Sequence, residues 1–135
     1  MKLALALIAL LLTPAAAQAG ITGFQTPSGN IFCAYINFEE HRSLRCDISR
    51  MDNPPAPKPR SCEFDWGSSF GVSPRGKAYR LCVSDTPMDP KFKKLPYGST
   101  WKRGPFTCRS RTTHLRCTNL RGHGFKLSRS KQTLF

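Results

Sequence analysis

The chain has 135 residues, with 21 Lys and Arg against 8 Asp and Glu, for a formal net charge of +13. That length supports one modest hydrophobic core, a single domain's worth. No CxxC, GxSxG, GxGxxG or P-loop pattern occurs, which removes the usual zinc, serine-hydrolase and nucleotide-binding signatures.

In chain order the first element is MKLALALIALLLTPAAAQAG. Lys2 supplies a positive start, Leu3 to Leu12 an apolar run, and Ala17-Gln18-Ala19 a small-x-small cleavage site. Residues 1–19 therefore read as a signal peptide cleaved before Gly20. The run is too short to span a bilayer comfortably, so no transmembrane segment is expected after cleavage. No cysteine stands at the new N-terminus, which gives no sign of a lipid anchor. The expected product is a single secreted or periplasmic domain, residues 20–135, of bacterial type.

Beyond the signal, short apolar runs alternate with Gly, Pro, Asn and Ser clusters, and no long stretch has helical periodicity. That is the pattern of an all-β chain. The runs predict strands at 23–26, 31–38, 43–49, 62–70, 78–84, 104–111, 113–119 and 125–130. Pro27-Ser28-Gly29-Asn30 predicts a turn between the first two. Residues 51–60, MDNPPAPKPR, hold four prolines. Proline lacks the amide donor, so this stretch is neither helix nor central strand and reads as a rigid surface connection. Residues 86–98, with Pro87, Pro90 and Pro96, predict a second long connection. The expected architecture is a small disulfide-stapled antiparallel sandwich or barrel with long Pro-rich loops.

Cys33, Cys46, Cys62, Cys82, Cys108 and Cys117 all follow the signal. An even number of cysteines in a short exported chain predicts a disulfide framework rather than a metal site. His41, His114 and His123 are not spaced as ligands, so no metal and no cofactor are expected. The tripeptide Leu-Arg-Cys occurs at 44–46 and again at 115–117. Alternate residues of a strand face opposite ways. Leu115 and Cys117 then share a face with Phe106 and Cys108, while Arg109, Arg111, His114 and Arg116 project from the other. Leu44, Cys46 and Ile48 face Ile31, Cys33 and Tyr35, with Arg45 and Asp47 turned away. The tripeptide thus means core leucine, outward arginine, core half-cystine. This predicts Cys33–Cys46 and Cys108–Cys117, leaving Cys62 for Cys82. Two copies do not by themselves establish a repeat fold.

Charge is divided along the chain. Residues 20–89 hold eight Lys and Arg and all eight acids, whereas residues 90–135 hold twelve Lys and Arg and no acid. Such a half suits an anionic partner: nucleic acid, lipid phosphate, acidic glycan or acidic protein. Arg109, Arg111, His114 and Arg116 are the candidate anion-binding residues. KFKKLPYGSTWKR, 91–103, interleaves Phe92, Tyr97 and Trp101 with cations. It could stack bases, but the plainer expectation is core aromatics with a lysine rim.

Gly122-His123-Gly124-Phe125 could expose a general base, and with His114 could imitate a small ribonuclease. The expected role of His123 is nevertheless structural, at a turn where backbones approach closely. Glu39 and Glu40 are loop neighbours that point apart, so no paired-carboxylate chemistry is expected. No catalytic residue is assigned.

The ordered set Thr26-Pro27-Ser28-Gly29-Asn30-Ile31 with Cys33, Cys46-Asp47-Ile48, Asp65-Trp66-Gly67, Leu95-Pro96-Tyr97-Gly98 and Gly122-His123-Gly124-Phe125 resembles a family of small secreted bacterial proteins of unknown function. The resemblance implies export, the cysteines and a single domain, and carries no activity. The expected function is an exported binding or structural module, a monomer and not an enzyme. A small secreted hydrolase such as a ribonuclease is the second reading. An inhibitor of a secreted protein, presenting residues 51–60, is the third.

Overall fold

The computed structural model describes residues 20–135; the expected signal peptide lies outside the described residues. Ten strands follow one another: β1 (Gly20–Gln25), β2 (Ile31–Phe38), β3 (His41–Ile48), β4 (Ser69–Val72), β5 (Tyr79–Arg80), β6 (Thr100–Arg103), β7 (Phe106–Ser110), β8 (Leu115–Thr118), β9 (Gly124–Leu127) and β10 (Gln132–Leu134). They form two five-stranded antiparallel sheets, β1 to β5 and β6 to β10, each a meander in sequence order. The sheets pack face to face around one hydrophobic cluster that draws on both. The architecture is a β-sandwich.

Three disulfides hold it: Cys33–Cys46 and Cys108–Cys117, the pairs that strand faces predict, and Cys62–Cys82, the pair left over. Cys33 lies directly opposite Cys46 across β2 and β3, and Cys108 directly opposite Cys117 across β7 and β8. All four sulfur-bearing residues are fully buried. The two bridges meet in the centre of the sandwich, where the Cys117 sulfur lies within 4.8 Å of both sulfurs of the Cys33–Cys46 bridge.

This contact makes the two Leu-Arg-Cys copies structural equivalents. Each copy lies in the third strand of its sheet, and each disulfide joins the second and third strands. The neighbours correspond as well. Cys46 is beside Phe70 of β4, and Cys117 beside Phe125 of β9. Cys33 is beside Phe24 of β1, and Cys108 beside Trp101 of β6. These counterparts touch each other across the core, Phe24 to Trp101 at 4.9 Å and Phe70 to Phe125 at 6.3 Å between ring centroids. Equivalent residues meeting one another is the signature of a two-fold relation. The sandwich is therefore two five-stranded units packed about a quasi-two-fold through the sulfurs.

The connections have local causes. Between β1 and β2, Gly29 takes φ 70° and donates its amide to the Thr26 carbonyl at 2.9 Å. Between β6 and β7, Gly104 takes φ 50°, and a Cβ there would stand 2.6 Å from the Tyr35 hydroxyl. Residues 51–60 are a surface connection, as their prolines require, and the stretch is tied to the second sheet. Asp52 pairs with Arg129 at 2.9 Å, and the Asn53 and Gln132 side-chain amides exchange hydrogen bonds at 2.9 Å.

Some elements differ from the sequence expectation. Residues 62–70 predict one strand, yet the strand formed is the shorter and later Ser69–Val72, β4. The preceding residues loop so that Cys62 reaches Cys82, with Gly67 at φ 107° packed on Pro55. Residues 78–84 shrink to the two-residue β5 and an isolated bridge between Asp65 and Val83. Apolar pattern predicts neither β6 nor β10. Both are edge strands, with only Trp101 and Leu134 packed against the core, too little alternation for a period to register.

The disulfides give a test that separates two sources of stability. In the chain-entropy account each contributes about 3 kcal/mol, and the longest loop contributes most. That loop is Cys62–Cys82, with a separation of 20 against 13 and 9. The two core bridges also fill the centre of the packing. Paired Cys→Ala replacement at 33/46 or at 108/117 should therefore lower the denaturation midpoint more than at 62/82. The reverse order in a urea titration would assign the stabilisation to loop closure alone.

Candidate anion-binding face

Strand alternation in the second sheet sends Phe106, Cys108, Leu115, Cys117, Phe125 and Leu127 inward and leaves Arg109, Arg116 and Lys126 exposed on the outer face. Register lines these up. Thr100, Arg109, Arg116, Lys126 and Thr133 form one row across β6, β7, β8, β9 and β10. Arg109 lies directly opposite Arg116, and Arg116 directly opposite Lys126. Like charges in directly opposed positions repel, and strands are only about 4.8 Å apart. The Arg116 guanidinium lies 5.0 Å from the Phe135 ring centroid, a cation–π contact.

Arg111 and His114 bound the β7–β8 turn, where the Arg111 amide donates to the His114 carbonyl at 2.9 Å. A shallow concavity of about 430 Å³ is lined by Thr100, Lys102, Thr107, Arg109, Arg111, His114, Arg116 and Thr118. All four candidate residues thus come together. Lys102 and Lys126 join them, contributed by strands whose partners sequence pattern does not identify. The signal for Lys126 was the alternation Phe125-Lys126-Leu127, two buried residues flanking one exposed. His114 titrates below its ordinary value, first because of partial burial and then because Lys126, Arg111 and Arg116 repel a further positive charge. Its Nδ1 shares a 2.8 Å hydrogen bond with Thr113 Oγ1.

The first sheet answers the same geometry differently. The equivalent row is Gly23, Ala34, Arg45, Gly71 and Tyr79. Arg45 occupies the place of Arg116. It faces away from the disulfide core as expected, yet it is only 7% exposed. The connection after Cys82 lies over it, which alternation within β3 has no means to indicate. Arg45 donates from Nε to Asp47 Oδ1 at 2.9 Å and from Nη2 to Asp47 Oδ2 at 3.0 Å, a two-pronged carboxylate contact. It also donates from Nη1 to Asp85 Oδ1 at 2.9 Å and from Nη2 to the Asp85 carbonyl at 2.6 Å. Burial alone would lower its pKa; the bonds from Asp47 and Asp85 outweigh burial and hold the guanidinium charged, above its ordinary value. Thr86 donates to Asp47 Oδ2 at 2.9 Å and completes the network.

Other candidates separate in space. His114 precedes β8 and His123 follows it, so the two imidazoles stand at opposite ends of that strand. The glycines around His123 have structural reasons. Gly122 takes φ 76°, and a Cβ at Gly124 would collide with the Cys117 carbonyl. Asn119 fixes the turn, accepting the His123 amide on Oδ1 at 3.1 Å and donating its own amide to the His123 carbonyl at 2.8 Å. The close sulfurs of Cys33, Cys46 and Cys117 belong to disulfides and offer no thiolates to a metal. Within 91–103, Trp101 packs on the core and Phe92 lies against Gly23, whereas Tyr97 is 49% exposed. Glu39, at φ 53°, and Glu40 form the tip of the β2–β3 hairpin.

A family of unknown function, DUF6636, matches residues 4–135. The chain belongs to that family. No curated protein and no solved structure matches it. Membership agrees with the resemblance read from the ordered motifs and brings no assigned chemistry. Three disulfides fit an oxidising compartment, and among the described residues no helix is long and apolar enough to cross a membrane.

The two arginines predict opposite mutational costs. Arg45→Met would strand Asp47, itself 3% exposed, and should cost about 3–5 kcal/mol in chemical denaturation. Arg116→Met should change stability by no more than about 1 kcal/mol. The Arg45 contact also holds the Asp85 pKa below its ordinary value, through the hydrogen bond first and the charge second. A lowered carboxylate contributes stability that is present above the unfolded value, about 3.9, and is lost as pH falls through the folded one. Arg45→Met should remove that acid dependence.

Proposed function

We propose that this protein is an exported binding module whose outer β6–β10 face recognises an anionic partner. The observation that carries the reading is the row Arg109, Arg116 and Lys126, three exposed cations in directly opposed positions. Such a row opposes folding, because its members repel. It is relieved when an anion arrives. Arg111, His114 and Lys102 around the same concavity enlarge the cationic field. The charge division supports the same conclusion. The acid-free residues 90–135 include the whole second sheet, while the acids accompany the first. A merely soluble basic surface needs no such segregation. The signal-like start of the chain and the three disulfides support action in the periplasm or outside the cell.

Charge reversal tests the face. Arg109→Glu, Arg116→Glu and Lys126→Glu together should weaken retention on heparin and on anionic vesicles and flatten the salt dependence. For a polyphosphate the slope of log affinity against log salt should fall by about 0.7–0.9 per contact removed. Arg42→Glu, Arg50→Glu and Arg60→Glu, all exposed and in the neutral half, should do much less. Equal losses from the two triple variants would mean that only total charge matters.

His114 gives a second readout. Its pKa is depressed partly by Lys126, Arg111 and Arg116, and Lys102, Arg109 and Lys131 line the concavities around it. A bound anion offsets that repulsion, so the His114 pKa should rise on binding. By linkage, affinity should increase as pH falls from the raised His114 pKa of the complex to the lower one of the free protein, and level off below it. NMR titration of the His114 ring with and without heparin checks it, and an unchanged or lowered value counts against binding at this face.

A further inference from the structure

The quasi-two-fold lets one half of the molecule display how the other half binds. In the first sheet, Arg45 is already occupied by a ligand in cis. Residues 84–90 run without regular structure across the outer face, from β3 towards β1. Asp85 meets the Arg45 guanidinium with a carboxylate oxygen at 2.9 Å and its own backbone carbonyl at 2.6 Å. Thr86 reaches Asp47 at 2.9 Å, and Gln25 of β1 donates to the Pro90 carbonyl at 3.2 Å and the Phe92 carbonyl at 2.7 Å. The row that contains Arg45 has small residues at Gly23, Ala34 and Gly71, and the space over two of them is taken by rings, Phe92 over Gly23 and Tyr79 over Gly71.

In the second sheet, Arg116 stands in the same register position and is exposed. Two differences distinguish it. The residue two further along the strand is Asp47 in the first sheet and Thr118 in the second, so Arg116 has no neighbouring carboxylate. The flanking positions are Ala34 and Gly71 in the first sheet and Arg109 and Lys126 in the second. The first face is therefore built to carry one acidic strap and its own counter-charge. The second lacks the counter-charge and has two further cations.

We infer that the outer face of the second sheet takes an extended acidic peptide segment of a partner protein, with an aspartate or glutamate on Arg116 as Asp85 sits on Arg45. The inference rests on the anion-binding reading above and narrows its partner. A peptide is favoured over a phosphate polymer because the occupant of the equivalent site contributes a carboxylate and a backbone carbonyl together. Arg45 meets Asp85 through two nitrogens at once, Nη1 on the carboxylate and Nη2 on the backbone carbonyl, a two-point contact that a lysine's single ammonium does not reproduce.

The test compares an oligo-aspartate peptide with a single-stranded oligonucleotide of matched net charge, by fluorescence anisotropy on the oxidised protein. Oligo-aspartate should bind the natural sequence. Arg116→Lys keeps the charge and loses the two-point contact, and should weaken the peptide about tenfold. Thr118→Asp restores the carboxylate that Asp47 provides to Arg45, and should weaken the peptide at least as much. Thermal melting of both variants controls for folding, and Arg116→Lys alone decides the matter if Thr118→Asp melts early. Binding of the oligonucleotide without the peptide would overturn the inference and leave the anion-binding face standing. Peptide binding indifferent to both substitutions would overturn it too. Failure of both probes would remove the inference and the reading on which it rests.

Discussion

The contact between two disulfides at the centre of the sandwich is the constraint on which the rest depends. Each bridge joins residues directly opposite one another on the second and third strands of a sheet. A bridge in that position fixes register, and register in a pleated sheet fixes faces: a slip of one residue would exchange core and surface along the strand. With Cys46 and Cys117 pointing inward, Leu44 and Leu115 must follow them, and Arg45 and Arg116 must point away. Phe24 then meets Trp101, and Phe70 meets Phe125, because the same face assignment applies in both halves. The two-fold relation is a consequence of these sulfurs as much as of any loop.

From identical backbone positions the two arginines reach opposite states. Arg45 lies under a strap and is matched by Asp47 and Asp85. A buried guanidinium is tolerable only with its charge paired and its donors engaged, and both conditions are met. Arg116 remains at the surface, where water solvates it and Phe135 lies beneath. The division of acids between the halves of the chain is the sequence expression of this difference. In the first half Asp47 and Asp85 pair with Arg45, whereas in the second Arg109, Arg116 and Lys126 stand exposed and Arg129 pairs with Asp52 of the first half. Arg45 is thereby bound up with stability, whereas changes at Arg116 disturb no buried ion pair.

The proline-rich connections serve this arrangement. Residues 51–60 cannot join a sheet, and through Asp52 and Asn53 they lie against the β9–β10 end of the second sheet. The segment around Asp85 is likewise kept out of the ladder by Pro87 and Pro90. Being unable to pair as a strand, it lies across one. A third disulfide, Cys62–Cys82, holds the loop before it.

The sequence by itself determined the all-β class, the outward placement of Arg109 and Arg116, and the division of charge, and alternation favoured Cys33–Cys46 and Cys108–Cys117 with Cys62 and Cys82 left over. Each of these follows from local facts: turn residues, alternation, and composition on either side of residue 90. His123 was legible too, since glycines on both sides imply backbone constraints at Gly122 and Gly124. Tertiary structure alone decided the equivalence of the two halves, the burial of Arg45 and the company of Lys126. Asp85 lies 40 residues from Arg45, and Lys126 joins Arg116 only through the register of β8 with β9. Alternation states which way a side chain points and is silent on what another segment lays over it. Whether an outward arginine is a buried ion pair or an exposed cation depends on that covering, and covering is a property of the folded chain.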